Sequence, residues 1–314
     1  MIERLDRLGD HIEIQRMLQR AWHASTLESV QPSIERVEGR LASGVGQALA
    51  LYDADHIARG ILLWYWYDQA HMYAQGTTLY TENYAADGLV DELFEAGLAE
   101  PSLKAISVAV RGDSPGARDA LLRRDAVFFG RCEMVCDLNG SLAESPLADG
   151  YHLVQWTDEV NPAVETVGLA ALAGTIDEVA VPDTMPEQFI EVLRQLRANE
   201  YPGLMGWNDA ASGVILDGEG RAAGYIGICT AGGMGFVADI AVHPAHQRRG
   251  LGRAMMMHSM RMCREQHYTQ MGLAVTTRNP AQHLYEALGF RVVECGETAI
   301  WWRDGRQVAW RETK

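Results

Sequence analysis

With 314 residues, 47% of them hydrophobic, the chain exceeds one ordinary domain and predicts two, each able to bury a core. Its 42 acidic against 27 basic residues leave a formal net charge of −15, which excludes a general nucleic-acid binder because a phosphate backbone would be repelled. The longest apolar run, Ile61 to Trp66, is strand-sized, so neither a membrane-spanning helix nor a membrane partner is expected.

The first residues, Met1 to Asp6, hold no basic stretch followed by an apolar one, so no signal peptide is expected. In the first half, Ala50-Leu51-Tyr52-Asp53-Ala54-Asp55 reads as a strand running into an acidic turn, and Gly60-Ile61-Leu62-Leu63 as the return strand. The run Trp64-Tyr65-Trp66-Tyr67 alternates, so one face is assigned to core and the other to an interface or pocket wall. The same order recurs about 164 positions later: Val214-Ile215-Leu216-Asp217-Gly218-Glu219, then Gly224-Tyr225-Ile226-Gly227. Further on, Val127-Phe128-Phe129 falls near the place of Phe290-Arg291-Val292. Cys132 and Cys136 lie four apart in a strand-like segment without a metal-ligand pattern. The five cysteines contain no C-x-x-C pair, so a reduced, cytoplasmic protein without a metal is expected. Residues 141–150, rich in Ser, Pro, Asp and Gly, read as a linker between a domain at 1–140 and another at 151–314.

The second half reads Tyr151–Trp156 as a strand and then a helical region. Its second helix starts near Thr184, where Thr184 and Glu187 have capping-box spacing and Pro186 suits a first turn. A hairpin over Val214–Thr230, a strand over Gly235–Val242 and a helix over Leu251–Gln266 follow. After them come a strand over Met271–Thr276, a helix over Pro280–Leu288 and a strand pair over Arg291–Trp302. Strands and helices thus interleave around a sheet, giving an α/β fold.

One segment carries chemistry: Ile240-Ala241-Val242-His243-Pro244-Ala245-His246-Gln247-Arg248-Arg249-Gly250-Leu251-Gly252-Arg253. An apolar strand ends at a proline, a basic turn follows, and glycines open a helix whose first N–H groups have no intrahelical partner. That arrangement suits an anion. It is not the P-loop, which needs Lys then Ser or Thr where Arg253-Ala254 stands. It is not the dinucleotide fingerprint, whose third glycine falls at Met255.

Gln247-Arg248-Arg249-Gly250-Leu251-Gly252 closely resembles the Q/R-x-x-G-x-G/A pyrophosphate motif of the GCN5-related N-acetyltransferases (GNAT). Asn279-Pro280-Ala281-Gln282-His283-Leu284-Tyr285-Glu286-Ala287-Leu288-Gly289-Phe290 resembles that family's N-x-x-A-x-x-L-Y-x-x-x-G-F, with Ala281 one place early. The resemblance implies two tandem GNAT-like domains, each a mixed, mostly antiparallel sheet flanked by helices. It also implies acetyl-coenzyme A, or another acyl-coenzyme A, as co-substrate. Coenzyme contacts would come from Ile240, Ala241, Val242, Gln247, Arg248, Arg249, Gly250, Leu251, Gly252, Arg253 and Asn279. Tyr285 would be the acid that protonates the leaving thiolate, and Asp239 is the candidate base.

The first half lacks the motif. In place of Gln247, Arg248, Arg249 and Gly250 it has Asn83, Tyr84, Ala85 and Ala86, with Asp87 and Asp91 close by. A degenerate first copy and an active second copy are expected, an arrangement similar to that of the mycothiol synthases. The implied reaction is acyl transfer to the amine of a small molecule, by a monomer or homodimer. Acetylation of a protein or peptide, and a non-catalytic acyl-coenzyme A sensor, are the alternatives.

Overall fold

The two acidic turns that mark the repeat fold alike. Asp53 Oδ1 accepts from the amides of Asp55 and Ile57, at 3.0 and 2.9 Å, while Oδ2 accepts from Arg59 Nε at 2.8 Å. Asp217 does the same with the amides of Glu219 and Arg221 and with Arg221 Nε, at 2.9, 3.0 and 3.0 Å. A short carboxylate that bonds backbone two and four residues on closes a tight hairpin, which explains why Asp stands at both places.

The computed structural model describes residues 1–22, 24–66, 72–140, 142–180, 194–198, 206–231 and 233–305. The chain divides into two units, Met1–Gly130 with Gly296–Lys314, and Arg131–Cys295. Unit one contains β1 (Ile2–Arg4), α1 (Ile12–Ala21), α2 (Gln31–Ala42), β2 (Gly46–Tyr52), β3 (Ala58–Trp66) and β4 (Tyr73–Thr81). It continues with α3 (Asp87–Leu98), β5 (Ala105–Val110) and α4 (Pro115–Leu122). Successive strands pair antiparallel except β4 with β5, which run parallel. Strand alternation decides the faces: Ile61 and Leu63 pack with α1 and the α2 residue Ile34, whereas Leu62 and Trp64 pack with Leu93 and Phe94 of α3.

Unit two takes up β6 (Val127–Asp137) from Arg131 onward, then β7 (His152–Val154), α5 (Asn161–Leu172) and α6 (Asp177–Ala180). After these come β8 (Gly213–Leu216), β9 (Ala222–Ala231), β10 (Met234–Val242), α7 (Leu251–Glu265), β11 (Gln270–Thr276) and α8 (Ala281–Ala287). Its sheet runs β6-β11-β10-β9-β8-β7, again with one parallel pair, β10 and β11. Met255, Met256, Met257 and Met260 of α7 are buried on one face of this sheet. Each fully buried methionine stabilises the unit by roughly 1.5–3 kcal/mol. Trp156, Val164, Val167 and Tyr225 fill the other face.

This division does not follow the linear cut at 140. Arg131–Asp137 pairs antiparallel with Thr276–Gln270 inside unit two, and the end of β12 (Arg291–Trp302) pairs with β5 in unit one, Glu297 facing Val110. Edge pairing over more than 130 residues, rather than linker composition, sets the units. The last strand is also one continuous element, not a pair. Cys132 and Cys295 form a disulfide across a separation of 163 residues. The expectation of five thiols is thereby corrected: sequence spacing tested only near neighbours, and the chain closes this pair in three dimensions. Cys136, Cys229 and Cys263 are free and buried. The helix start proposed at Thr184 lies outside the described residues. Among those residues no helix is long and apolar enough to cross a membrane.

Candidate active site

Two parallel strands that separate create the opening in unit two. β10 and β11 pair at Gly235 with Met271, Phe236 with Gly272 and Val237 with Leu273, and then no further. Beyond that point β10 continues to Val242, paired only on its other side with β9, and β11 continues to Thr276, paired only with β6. The separation coincides with a bulge: Val237 faces Ile228 and Asp239 faces Gly227, so Ala238 has no partner on β9. An extra residue in one strand bends it and strengthens its twist. Among the described residues, the edge of β10 from Ala238 to Val242, including Ile240 and Ala241, thus has no strand beside it.

The basic turn lies at the far end of β10. His243 caps a short 3-10 turn, its ring nitrogen accepting from Ala245 N at 3.2 Å. Gln247 Nε2 donates to Val242 O at 3.0 Å, tying the loop to the strand end. Arg248 has φ +63 and Gly250 φ +80. Left-handed residues alternating with ordinary ones aim successive N–H groups at one place, a concavity that suits an anion. Among the described residues, the amides of Arg248, Arg249, Gly250, Leu251, Gly252 and Arg253 have no backbone or side-chain acceptor. No acidic residue occupies the first turn of α7. A Cβ at Gly252 would lie 3.3 Å from Leu284 Cδ2, a close approach to the far end of a leucine side chain.

The three arginines divide. Arg248 and Arg253 make no ion pair among the described residues. Arg249 folds back, donating from Nη1 to the Tyr151 hydroxyl at 2.8 Å and from Nη2 to Ala245 O at 3.4 Å. Tyr151 in turn bonds His246 Nδ1 at 2.9 Å. Arg249 therefore braces the loop.

The second motif forms α8. Asn279 Oδ1 accepts from Ala281 N at 2.8 Å, which fixes the start of the helix, and its Nδ2 donates to Asp177 Oδ2 at 2.6 Å. Tyr285 is 7% exposed, and its hydroxyl has no hydrogen-bond partner among the described residues. Burial pushes this hydroxyl above the ordinary tyrosine range; Asp239 and Asp177 add to the shift and Arg131 opposes it. It therefore remains a proton donor at neutral pH. Asp239 accepts from the Tyr225 hydroxyl at 2.6 Å. Tyr225, 1% exposed, is likewise raised well above its ordinary range, first by burial and then by Asp239.

Unit one offers the comparison. β4 and β5 pair from Tyr73 with Ala105 to Gly76 with Val108, bulge, and pair again at Leu79 with Val110. Arg111 N then donates to Leu79 O at 3.0 Å. Where β10 and β11 part, these strands close. Among the described residues, no group of three His, Cys, Asp or Glu side chains suits a metal ion.

Four residues joined to the site were not singled out in the sequence: Tyr151, Asp177, Tyr225 and Arg131, whose Nη1 lies 3.4 Å from Thr276 Oγ1. None belongs to either motif. Only Tyr225 carries a readable signal, because a hairpin register would place it two residues from the partner of Asp239.

Residues 181–290 match the acetyltransferase (GNAT) family. A mycothiol acetyltransferase of Clavibacter sepedonicus is 30% identical over 211 residues, 65% of this chain and 65% of that one. The chain thus aligns with just under two thirds of that relative's length. A GCN5-related N-acetyltransferase of Sphaerobacter thermophilus superposes with a TM-score of 0.68 over 96% of this chain and 95% of its own, at 13% identity. A tandem GNAT protein from the clavulanic acid biosynthesis pathway does so at 0.56, over 98% and 99%, at 17% identity. These likenesses show the fold: two tandem GNAT-like units, each a mixed sheet flanked by helices. In sequence, the likeness to the acetyltransferase (GNAT) family lies in residues 181–290.

Proposed function

We propose that this protein is an N-acetyltransferase that moves the acetyl group of acetyl-coenzyme A to the amine of a small molecule, working in unit two alone. The observation that carries this reading is the parting of β10 from β11 after Val237, with the anion-suited loop at the strand end and Tyr285 on the adjacent helix. The residues fit the coenzyme. The unpartnered amides of Arg248 to Arg253, with the Arg248 and Arg253 guanidinium groups, would hold its pyrophosphate, and the free edge at Ile240 to Val242 would hold its amide-bearing arm.

When bound, the coenzyme supplies an acetyl thioester, an acyl group activated toward amines. The chain supplies the rest. Backbone N–H groups beside the bulge stabilise charge that develops on an oxygen. Asp239 accepts a proton from the attacking amine, and Tyr285, kept protonated by burial, donates one to the departing sulfur. A small acceptor is favoured because the relative aligned over 211 residues is named for mycothiol.

The test is thiol release from acetyl-coenzyme A in the presence of a panel of amino sugars, amino acids and lysine-bearing peptides. Release with a small amine supports the reading. Release only with peptides overturns the small-molecule assignment, and failure to bind acetyl-coenzyme A overturns the whole.

A further inference from the structure

Asp239 stands on the bulged stretch of β10, half-buried, directly across the ladder from Gly227. Tyr225 comes from the same face of β9, two residues earlier, and faces Ala241 in the register. Its hydroxyl reaches back along the strand to Asp239 Oδ2 at 2.6 Å. The ring meets the edge of Trp156 at 5.2 Å between centroids, and the Trp156 indole is itself held by Asn161 Oδ1 at 2.9 Å. Trp207 lies over Gly227, where a Cβ would come within 2.7 Å of its ring, and meets Trp156 edge-on at 5.4 Å. Buried and packed against Trp156, the tyrosine is held with its hydroxyl on Asp239.

We propose that Tyr225 is a positioning residue for Asp239: its buried hydroxyl holds Oδ2 and so sets the direction in which the carboxylate meets the acceptor amine. The inference rests on reading Asp239 as the base and adds the group that tunes it. Tyr225 donates and does not accept here, since a carboxylate offers no proton and burial keeps the phenol protonated. A hydrogen bond donated to a charged carboxylate favours the charged form. Among the described residues, Tyr285 from α8 is coupled to Asp239, and Asp177 from α6 and Arg131 from β6 act on Tyr285 in turn. None of these three lies on the strand of either partner.

Carboxyl-carbon NMR of the full chain tests the coupling without any acceptor, the Asp239 signal being the one missing in Asp239→Asn. Tyr225→Phe, which removes one oxygen and keeps the ring, is expected to raise the Asp239 midpoint by about one pH unit, a tenfold gain in proton affinity. An unmoved midpoint overturns the proposal. Should Tyr225→Phe not fold, alkaline spectrophotometric titration of Asp239→Asn replaces it: one tyrosine should ionise at lower pH than in the parent protein, and an unchanged titration overturns the coupling. In the thiol-release assay, the acid limb of kcat/KM for Tyr225→Phe should move with the midpoint. If Asp239→Asn turns over normally while the midpoint still shifts, the base assignment fails and the Tyr225–Asp239 coupling stands.

Discussion

A tryptophan at position 252 should abolish coenzyme binding while leaving the fold in place. The Cβ of such a residue would sit 3.3 Å from Leu284 Cδ2 and 4.0 Å from Val242 Cγ2, so its side chain enters between the end of β10 and α8. The near contact is the far end of a flexible leucine, which can give way by a few tenths of an ångström. The indole would then cover amides in the run from Arg248 to Arg253. A hydrogen bond to a charged group contributes about 1.5–3 kcal/mol. Losing two of them costs about 3–6 kcal/mol, or roughly 100-fold to 10,000-fold in affinity. Calorimetric titration with acetyl-coenzyme A should show a single site in the parent protein, because β4 and β5 stay closed in unit one, and no measurable site in Gly252→Trp at an unchanged melting temperature. Gly250→Ala approaches the loop differently: its Cβ meets nothing within 4 Å, but φ +80 strains any L side chain by about 1–2 kcal/mol. Undiminished affinity in Gly252→Trp would refute the assignment of the loop, and two equal sites in the parent would refute the closed reading of unit one.

Tyr285→Phe should lower turnover by about 100-fold or more and leave acetyl-coenzyme A affinity unchanged; full turnover would remove Tyr285 from the mechanism. Tyr225 and Tyr285 hold their protons longer folded than unfolded, so their contribution is complete below the ordinary tyrosine pKa of about 10 and lost as pH rises above it. Each should steepen the fall of stability there by about 1.4 kcal/mol per pH unit, and a melting series at alkaline pH should be flatter in Tyr225→Phe. Burial pushes the Cys229 thiol up to about 12 and the Cys263 thiol up to about 11, so a thiol reagent should label neither in the native protein. Unfolded without reductant, the chain should show three reactive thiols, and five after reduction; five in both conditions would exclude the Cys132–Cys295 bond.

Much of unit two was legible because its signals are local. Pro244, the basic turn and Gly250 announce a strand-to-helix junction within ten residues, and α7 begins at Leu251 as the pattern requires. The Asp53 and Asp217 turns were legible for the same reason: each carboxylate bonds only to backbone within four residues. What escaped depends on distance along the chain. Asp177 meets Asn279 across 102 residues, Tyr151 meets Arg249 across 98, and Cys132 meets Cys295 across 163. Composition and periodicity say nothing about such partners, because tertiary closure selects them. Arg249, read in the sequence as a coenzyme contact, also bonds within its own loop and to Tyr151, a partner 98 residues away.

The two units differ at the places where the proposed site would stand. Register places Thr78 of β4 where Asp239 stands in β10: each follows the bulge residue and faces a β-neighbour across it, Leu63 in one case and Gly227 in the other. Thr78 accepts from the Trp22 indole at 2.8 Å, so a core contact occupies the place of a titratable group. At the start of α3, Asp87 accepts from Arg123 at 2.9 and 2.6 Å, and Asp91 pairs with Arg124. The helix end that could attract an anion therefore carries carboxylates, and the cations nearby are already engaged by them. With Leu79 paired to Val110, the strand edge has a partner as well. On the proposed function, each change would remove a contact to the coenzyme and put an internal bond in its place. Unit one, on the proposed reading, keeps its fold with β4 and β5 paired, and the backbone that would hold the coenzyme is that of Ala238–Val242 and Arg248–Arg253 in unit two.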